Sequence, residues 1–282
     1  MKKIFIIIAA VIAFSACTKR IDIELDQQEY ARLVVEGSFS TDTTAHLVEL
    51  TQTGDYFENQ PPAPVSGAAV RIYNDLEEYQ LEEKPANSGR YFTASDVYGT
   101  VGRDYHLEIM LDEEIGGYKL FEAASHIYPI NELDSITLEF YDWGKAGFYE
   151  VQCYVLDPPT TDYYMFHIYR NGELVNDTIT DVFVVDDLLY NGNYTNGIGV
   201  GYFDQNQENE KLVPGDIVTL QVSRITEEYT DFLWHIQVEV SYRSPLFSGP
   251  PANVNGNISN GAFGAFAAYS SSYASTMVQP KQ

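Results

Sequence analysis

Basic residues are scarce in this chain of 282: 16 Lys and Arg stand against 41 Asp and Glu, a formal net charge of −25. That shortage excludes nucleic acid as a partner, because phosphate contacts are made by Lys and Arg. It also disfavours adsorption to an anionic lipid surface, which attracts polybasic segments. Cysteine is scarcer still, with Cys17 and Cys153 alone. The one long apolar run, at the N-terminus, has about a dozen residues, short of the roughly 20 that span a bilayer. Signatures of catalysis are missing as well. There is no G-x-S-x-G, S-x-x-K, P-loop or G-x-G-x-x-G. The five histidines, His46, His106, His126, His167 and His235, include no H-E-x-x-H and no i, i+4 pair. A glycosidase needs two carboxylates flanking one bond, and among so many acids sequence nominates no pair. The chain reads as a non-enzyme with no cofactor.

What is present begins with MKKIFIIIAAVIAF. Two lysines, a short apolar core and the small residues Ser15 and Ala16 have the layout of a secretory signal. Phe14-Ser15-Ala16-Cys17 resembles a lipobox, the signal of bacterial lipoproteins. Residues 1–16 are then a signal peptide, and the Cys17 sulfur carries a diacylglycerol. Each buried methylene adds about 0.8 kcal/mol of membrane affinity, so two or three acyl chains hold firmly. With Cys17 lipidated, Cys153 has no disulfide partner, and the exported chain must rest on packing. In FYEVQCYVLD, Tyr149, Val151, Cys153 and Val155 share one strand face. Cys153 reads there as a small buried apolar residue.

The 22 Tyr and 15 Phe lie in short alternating runs separated by turn residues. The expected class is all-β, as two β-sandwich domains. Residues 17–30 form a lipidated tether, 31–128 an N-terminal sandwich and 129–282 a C-terminal one. The strands of the first are RLVVEGSF, AHLVELTQ, AAVRIYND, EEYQLEE, GRYFTAS, DYHLEIML and YKLFEAAS. Those of the second are DSITLEF, FYEVQCYVLD, DYYMFHIYR, GELVNDTI, DVFVVDD and DIVTLQVSRI. In DYHLEIML, Tyr105, Leu107, Ile109 and Leu111 face inward, His106 and Glu108 outward. Gly116-Gly117 and Asn171-Gly172 mark hairpins, and Pro214-Gly215 a turn. NQPPAPVSG and YNGNYTNGIG read as loops. One segment has helical spacing: Tyr229, Phe232, Leu233, Ile236 and Val240 predict an amphipathic helix over about 226–242, capped by Thr226. GAFGAFAAYSS reads as a final edge strand, with Gly256, Gly261 and Gly264 permitting turns or close backbone approach.

Two sets of candidate binding residues emerge. DYYMFHIYR places Tyr163, Met165, His167 and Tyr169 on one face and Tyr164, Phe166 and Ile168 on the other. One face must be core; the other offers tyrosines to a partner or ligand, with Tyr190 and Tyr194 in the following loop. Asp186, Asp187 and Asp204 are weak calcium candidates in oxygen-rich loops. No D-x-D-x-D-G spacing supports them, and a solvated acidic loop with no metal is the default.

PVSGAAVRIYN, SGRYFTA, GTVGRDYHLEI and YKLFEAAS, in that order, resemble the prealbumin-like sandwich of carboxypeptidase regulatory domains. Residues 244–272, SPLFSGPPANVNGNISNGAFGAFAAYSSS, carry Pro-Pro, then Asn-Ile, then a Gly-rich aromatic strand. With the lipobox, this order is similar to the domain of unknown function 4249 family: lipoproteins of Gram-negative bacteria often encoded beside TonB-dependent outer-membrane transporters. The resemblance implies an outer-membrane, lipid-anchored protein whose partner is such a transporter. An envelope hydrolase with acids in an inter-domain cleft, or an adhesive surface protein, are the alternatives. Thr18, Lys19 and Arg20 precede Asp22, Glu24 and Asp26, which leaves the membrane leaflet open.

Overall fold

Alternating burial builds this molecule. A computed structural model describes residues 31–54, 61–241 and 252–280. Cys17, the signal peptide, the tether and Pro250-Pro251 lie outside the described residues. The first half contains β1 (Leu33–Ser40), β2 (Leu47–Gln52), β3 (Ala63–Pro64), β4 (Ala69–Tyr73), β5 (Glu78–Glu83), β6 (Arg90–Phe92), β7 (Asp104–Ile115) and β8 (Tyr118–His126). In β7, Tyr105, Leu107, Ile109 and Leu111 are buried, while His106 and Met110 are exposed and Glu108 is half-buried. Gly116 and Gly117 both have positive φ and close the β7–β8 hairpin. Such a turn matches the twist of the flanking strands. The loop expected at NQPPAPVSG contains β3, whose Ala63 and Pro64 pair with β2.

The second half contains β9 (Ser135–Tyr141), β10 (Phe148–Tyr154), β11 (Tyr163–Arg170), β12 (Glu173–Leu174), β13 (Phe183–Asp186), β14 (Ile198–Asp204), β15 (Ile217–Ile225), α1 (Glu227–Val240) and β16 (Phe263–Met277). Helix α1 starts where expected: the Thr226 hydroxyl accepts from the Tyr229 N–H at 3.2 Å, with Glu227 and Glu228 in the first turn. Leu233 packs with Met165, Val182, Val184 and Ile225. Val240, expected on the same face, is exposed.

One sheet runs β12-β11-β15-β16-β1-β2-β6-β5-β4-β7-β8, with β13 on β11 and β3 on β2; β14-β10-β9 form a second. The all-β class holds. The C-terminal segment, expected at an edge, is instead central. Residues 263–269 of β16 pair in parallel with β1, and residues 270–277 pair antiparallel with β15. β16 thereby serves both halves of the chain, and Phe266 and Ala268 enter the core built by β1, β2 and β4–β8. Gly264 makes this contact feasible: its φ is 87°, and a Cβ there would run into the Val35 backbone.

The segment before β16 seals an edge. Asn257 Nδ2 donates to the Ala124 carbonyl at 3.0 Å and the Phe266 carbonyl at 2.8 Å, and its Oδ1 accepts from the Phe266 N–H at 2.9 Å. Ser259 exchanges two bonds with the Glu122 backbone, and Asn260 Nδ2 reaches the Leu120 carbonyl. The edge of β8 is thus satisfied by side chains and loop backbone, removing a template for aggregation.

In the second half, β14-β10-β9 pack across β11 and β15. Tyr149, Val151 and Cys153 meet Phe166, Ile168, Leu220 and Val222. β14 is a strand the sequence pattern does not predict, and the loop expected at YNGNYTNGIG ends inside it at Ile198 and Gly199. Its Gly199 lies against the Glu150 side chain and Gly201 against Ile168, where a Cβ would collide.

Candidate functional site

The loops at one end of this half bring three aspartates together. Asp157 follows β10, Asp162 precedes β11 and Asp187 follows β13; all three are buried. A carboxylate oxygen from each lies within 4.8 Å of the others. Asp157 Oδ1 accepts from the Tyr164 hydroxyl at 2.8 Å, and Oδ2 from the Gly192 N–H at 3.2 Å. Asp162 pairs with Arg224, which also donates to the Pro129 carbonyl at 2.7 Å, and it accepts from Thr160 at 3.0 Å. Asp187 Oδ2 is shut from solvent with no hydrogen-bond partner among the described residues. Burial raises the pKa of all three above the usual carboxylate range. The Asp157 charge adds to the rise at Asp187, whereas Arg224 opposes it at Asp162. The adjoining cavity, about 40 Å³, is lined by Cys153, Val155, Phe166, Val185 and Val222 as well as Asp157 and Asp187. An organic ligand takes roughly 300–1,000 Å³.

Of the three weak calcium candidates, only Asp187 belongs to this cluster. Asp186 is exposed and its carboxylate accepts from the Leu188 N–H; Asp204 caps a turn, accepting from Asn206 N–H and Nδ2 at 2.8 and 2.7 Å. Asp157 and Asp162 carried no motif, since Asp157-Pro158-Pro159 reads as an ordinary loop.

The β11 tyrosines form no free platform. Tyr163 packs with the α1 cluster, and Tyr169 is half-buried with its hydroxyl donating to Gln221 at 2.7 Å. The reason is that both faces of β11 are covered, one by α1, the other by β10 and β14, while β13 and β15 pair along its edges. Tyr190 is half-buried and lines the small cavity; Tyr194 is exposed and its backbone bridges to Leu156.

A cluster of exposed aromatics lies on the outer face of β9, β10 and β14. Cross-strand rows there read Tyr141–Phe148–Asp204, then Glu139–Glu150–Tyr202. Tyr141 stacks on Phe148 with ring centroids 5.1 Å apart, and Trp143 and Tyr202 each meet Phe148 edge-on at 6.3 Å. Trp143 is 78% exposed and Tyr202 68%. Trp143 stands on the β9–β10 turn, where Gly144 and Gly147 have positive φ. Trp143, Phe148 and Tyr202 wall an open pocket of about 530 Å³ with Asp204 and Asn206 at its rim. Glu139, Glu150 and Gln152 lie beside them in a hydrogen-bonded group. Sequence reasoning missed this face; a tryptophan beside a turn glycine, Trp143-Gly144, is the signal that could have found it.

A larger groove, about 890 Å³, separates α1 from β1 and β16, between Tyr229, Phe232 and Ile236 on one side and Val34, Gly37 and Ala265 on the other. Val240 and Ala252 border it, and residues 242–251 between them lie outside the described residues.

Among curated proteins nothing matches this chain. A family model described as "Domain of unknown function (DUF4249)" matches residues 18–274, nearly the full length, and the chain belongs to that family.

Proposed function

We propose that this is a lipid-anchored binding protein of the outer membrane that has no reaction of its own and holds a partner or ligand on the outer face of β9, β10 and β14. The observation that carries the reading is the group of exposed Trp143, Tyr202 and Tyr141 around the half-buried Phe148, beside Glu139 and Glu150. Large rings left in water cost hydrophobic free energy, and contiguous exposed apolar patches mark interaction sites. Tyr and Trp are also the residues that dominate binding energy at interfaces. The carboxylates suit hydroxyl or ammonium donors and repel anions. The buried aspartates, by contrast, adjoin a cavity too small for a substrate, which favours binding over hydrolysis.

The family resemblance supplies the partner, a TonB-dependent transporter, and the Phe14–Cys17 lipobox the anchor. The test is affinity capture from mildly solubilised outer membranes with a C-terminal tag. Wild type is expected to recover a stoichiometric barrel protein. Trp143→Ala with Tyr202→Ala should lose it while remaining in the membrane fraction, and Cys17→Ala should leave the membrane altogether. Undiminished recovery by the double variant refutes the aromatic face as the binding surface; wild type recovered alone refutes a stable partner.

A further inference from the structure

We propose that Asp157, Asp162 and Asp187 form a binding site for a divalent cation, calcium in particular, which clamps the loop after β13 to the loop between β10 and β11. Three carboxylates meet here out of solvent, and Arg224 is the one cationic side chain paired with them among the described residues. A formal charge imbalance of this kind is rarely left buried without a proton or a cation. The second observation is Asp187 itself. It is 4% exposed, and its Oδ2 has no hydrogen-bond partner among the described residues. Buried polar atoms are almost always satisfied, so an orphaned carboxylate oxygen beside two other carboxylates marks the place of an absent partner.

The spread of the oxygens fits calcium. Donors around one calcium ion stand roughly 2.3–2.6 Å from it, so opposite donors lie at most about 5 Å apart. The three oxygens here lie within 4.8 Å of one another. Magnesium, with donors at about 2.0–2.1 Å, asks for a tighter and more regular set. Hydrogen bonds to Asp157 and Asp162 leave lone pairs free, since each carboxylate oxygen accepts more than once. The surroundings are already tied as a clamp requires: the Asp187 N–H donates to the Asp162 carbonyl at 3.0 Å, and the Asp157 N–H to the Asn193 carbonyl at 3.0 Å. The site is separate from the aromatic face and stands without it.

The test uses the purified full chain stripped with EDTA. Calcium chloride is titrated while thermal unfolding is followed. Terbium luminescence excited through tyrosine is read in parallel, because Tyr164 donates directly to Asp157 and Tyr190 lines the adjoining cavity. Wild type is expected to gain about 3–6 °C at roughly tenfold excess of calcium over its Kd, and calcium should displace terbium. Asp187→Asn should fold, with an unchanged or higher melting point in EDTA, and lose both responses. Asp186→Asn and Asp204→Asn should keep them. A response retained in Asp187→Asn would assign the effect to the acidic surface and overturn the site. No calcium-dependent shift or terbium signal in wild type up to about 10 mM, beyond the roughly 10⁻⁴–10⁻³ M range of weak extracellular sites, would overturn it too. An equal response to magnesium would overturn the choice of calcium.

Discussion

Replacing Asn257 by Ala tests the seam between β8 and β16. The side chain makes three bonds, to the Ala124 and Phe266 carbonyls and from the Phe266 N–H, at 2.8–3.0 Å. Alanine supplies none. The three backbone groups are left to whatever water reaches a half-buried position. Leaving a buried group unsatisfied costs about 1–3 kcal/mol, and partial access to water argues for the low end, so the sum is about 3 kcal/mol. Domains hold about 5–15 kcal/mol in all. With a urea m-value near 3 kcal/mol/M, the upper end of the usual range, the midpoint should fall by about 1 M. The assay is equilibrium urea unfolding followed by fluorescence and circular dichroism. The exposed neighbour Asn255 provides the control, and its Ala variant should stay within about 0.5 kcal/mol of wild type. A loss below about 1 kcal/mol in Asn257→Ala would refute the claim that these bonds hold the seam.

Gly264→Ala should cost more than about 3 kcal/mol, because a positive-φ position costs roughly 1–2 kcal/mol for an L residue and the new Cβ meets the Val35 backbone; soluble, wild-type-like unfolding of the variant would contradict the parallel β1–β16 register. Burial pushes the Cys153 thiol up to about 12, so a maleimide at pH 8 should leave it unmodified in the native chain and label it on unfolding; rapid native labelling would contradict its placement. Burial holds His46 below the ordinary histidine value. The unfolded chain therefore takes up that proton first as pH falls below about 6.5: stability is full above that value and declines toward the folded pKa. The buried aspartates act with the opposite sign, so the comparison is with His46→Gln, whose stability should fall less steeply between about pH 6.5 and 5; identical slopes would remove His46 as a contributor.

Local chemistry made much of this fold readable. The period of two in Tyr105–Leu111, the paired positive-φ residues at Gly116-Gly117 and Asn171-Gly172, and the Thr226 cap each act within a few residues, and the structure repeats them. What escaped depends on distant partners. β14 was hidden because Gly199 and Gly201 lower strand propensity, and the reason for them lies in Glu150 and Ile168 on other strands. The central place of β16 comes from pairing with β1 at the opposite end of the chain. Likewise Tyr163 and Tyr169 looked free on their own strand, and only the docking of α1, β13 and β15 covers them. Asp187 was picked out by composition, but its companions Asp157 and Asp162 sit across a loop closure that no spacing rule encodes.

The double pairing of β16, with β1 along one stretch and β15 along the next, sets an order of events during folding. β1 is synthesised long before residues 263–269, yet its residues 34–40 pair with them. Until they arrive, the first core lacks Phe266 and Ala268, and one edge of β1 stays open. Pairing of such distant segments is slow, and open edges recruit other chains meanwhile. Both halves therefore close in one late step, so removing residues 263–277 damages the fold at β1 as well as at β15.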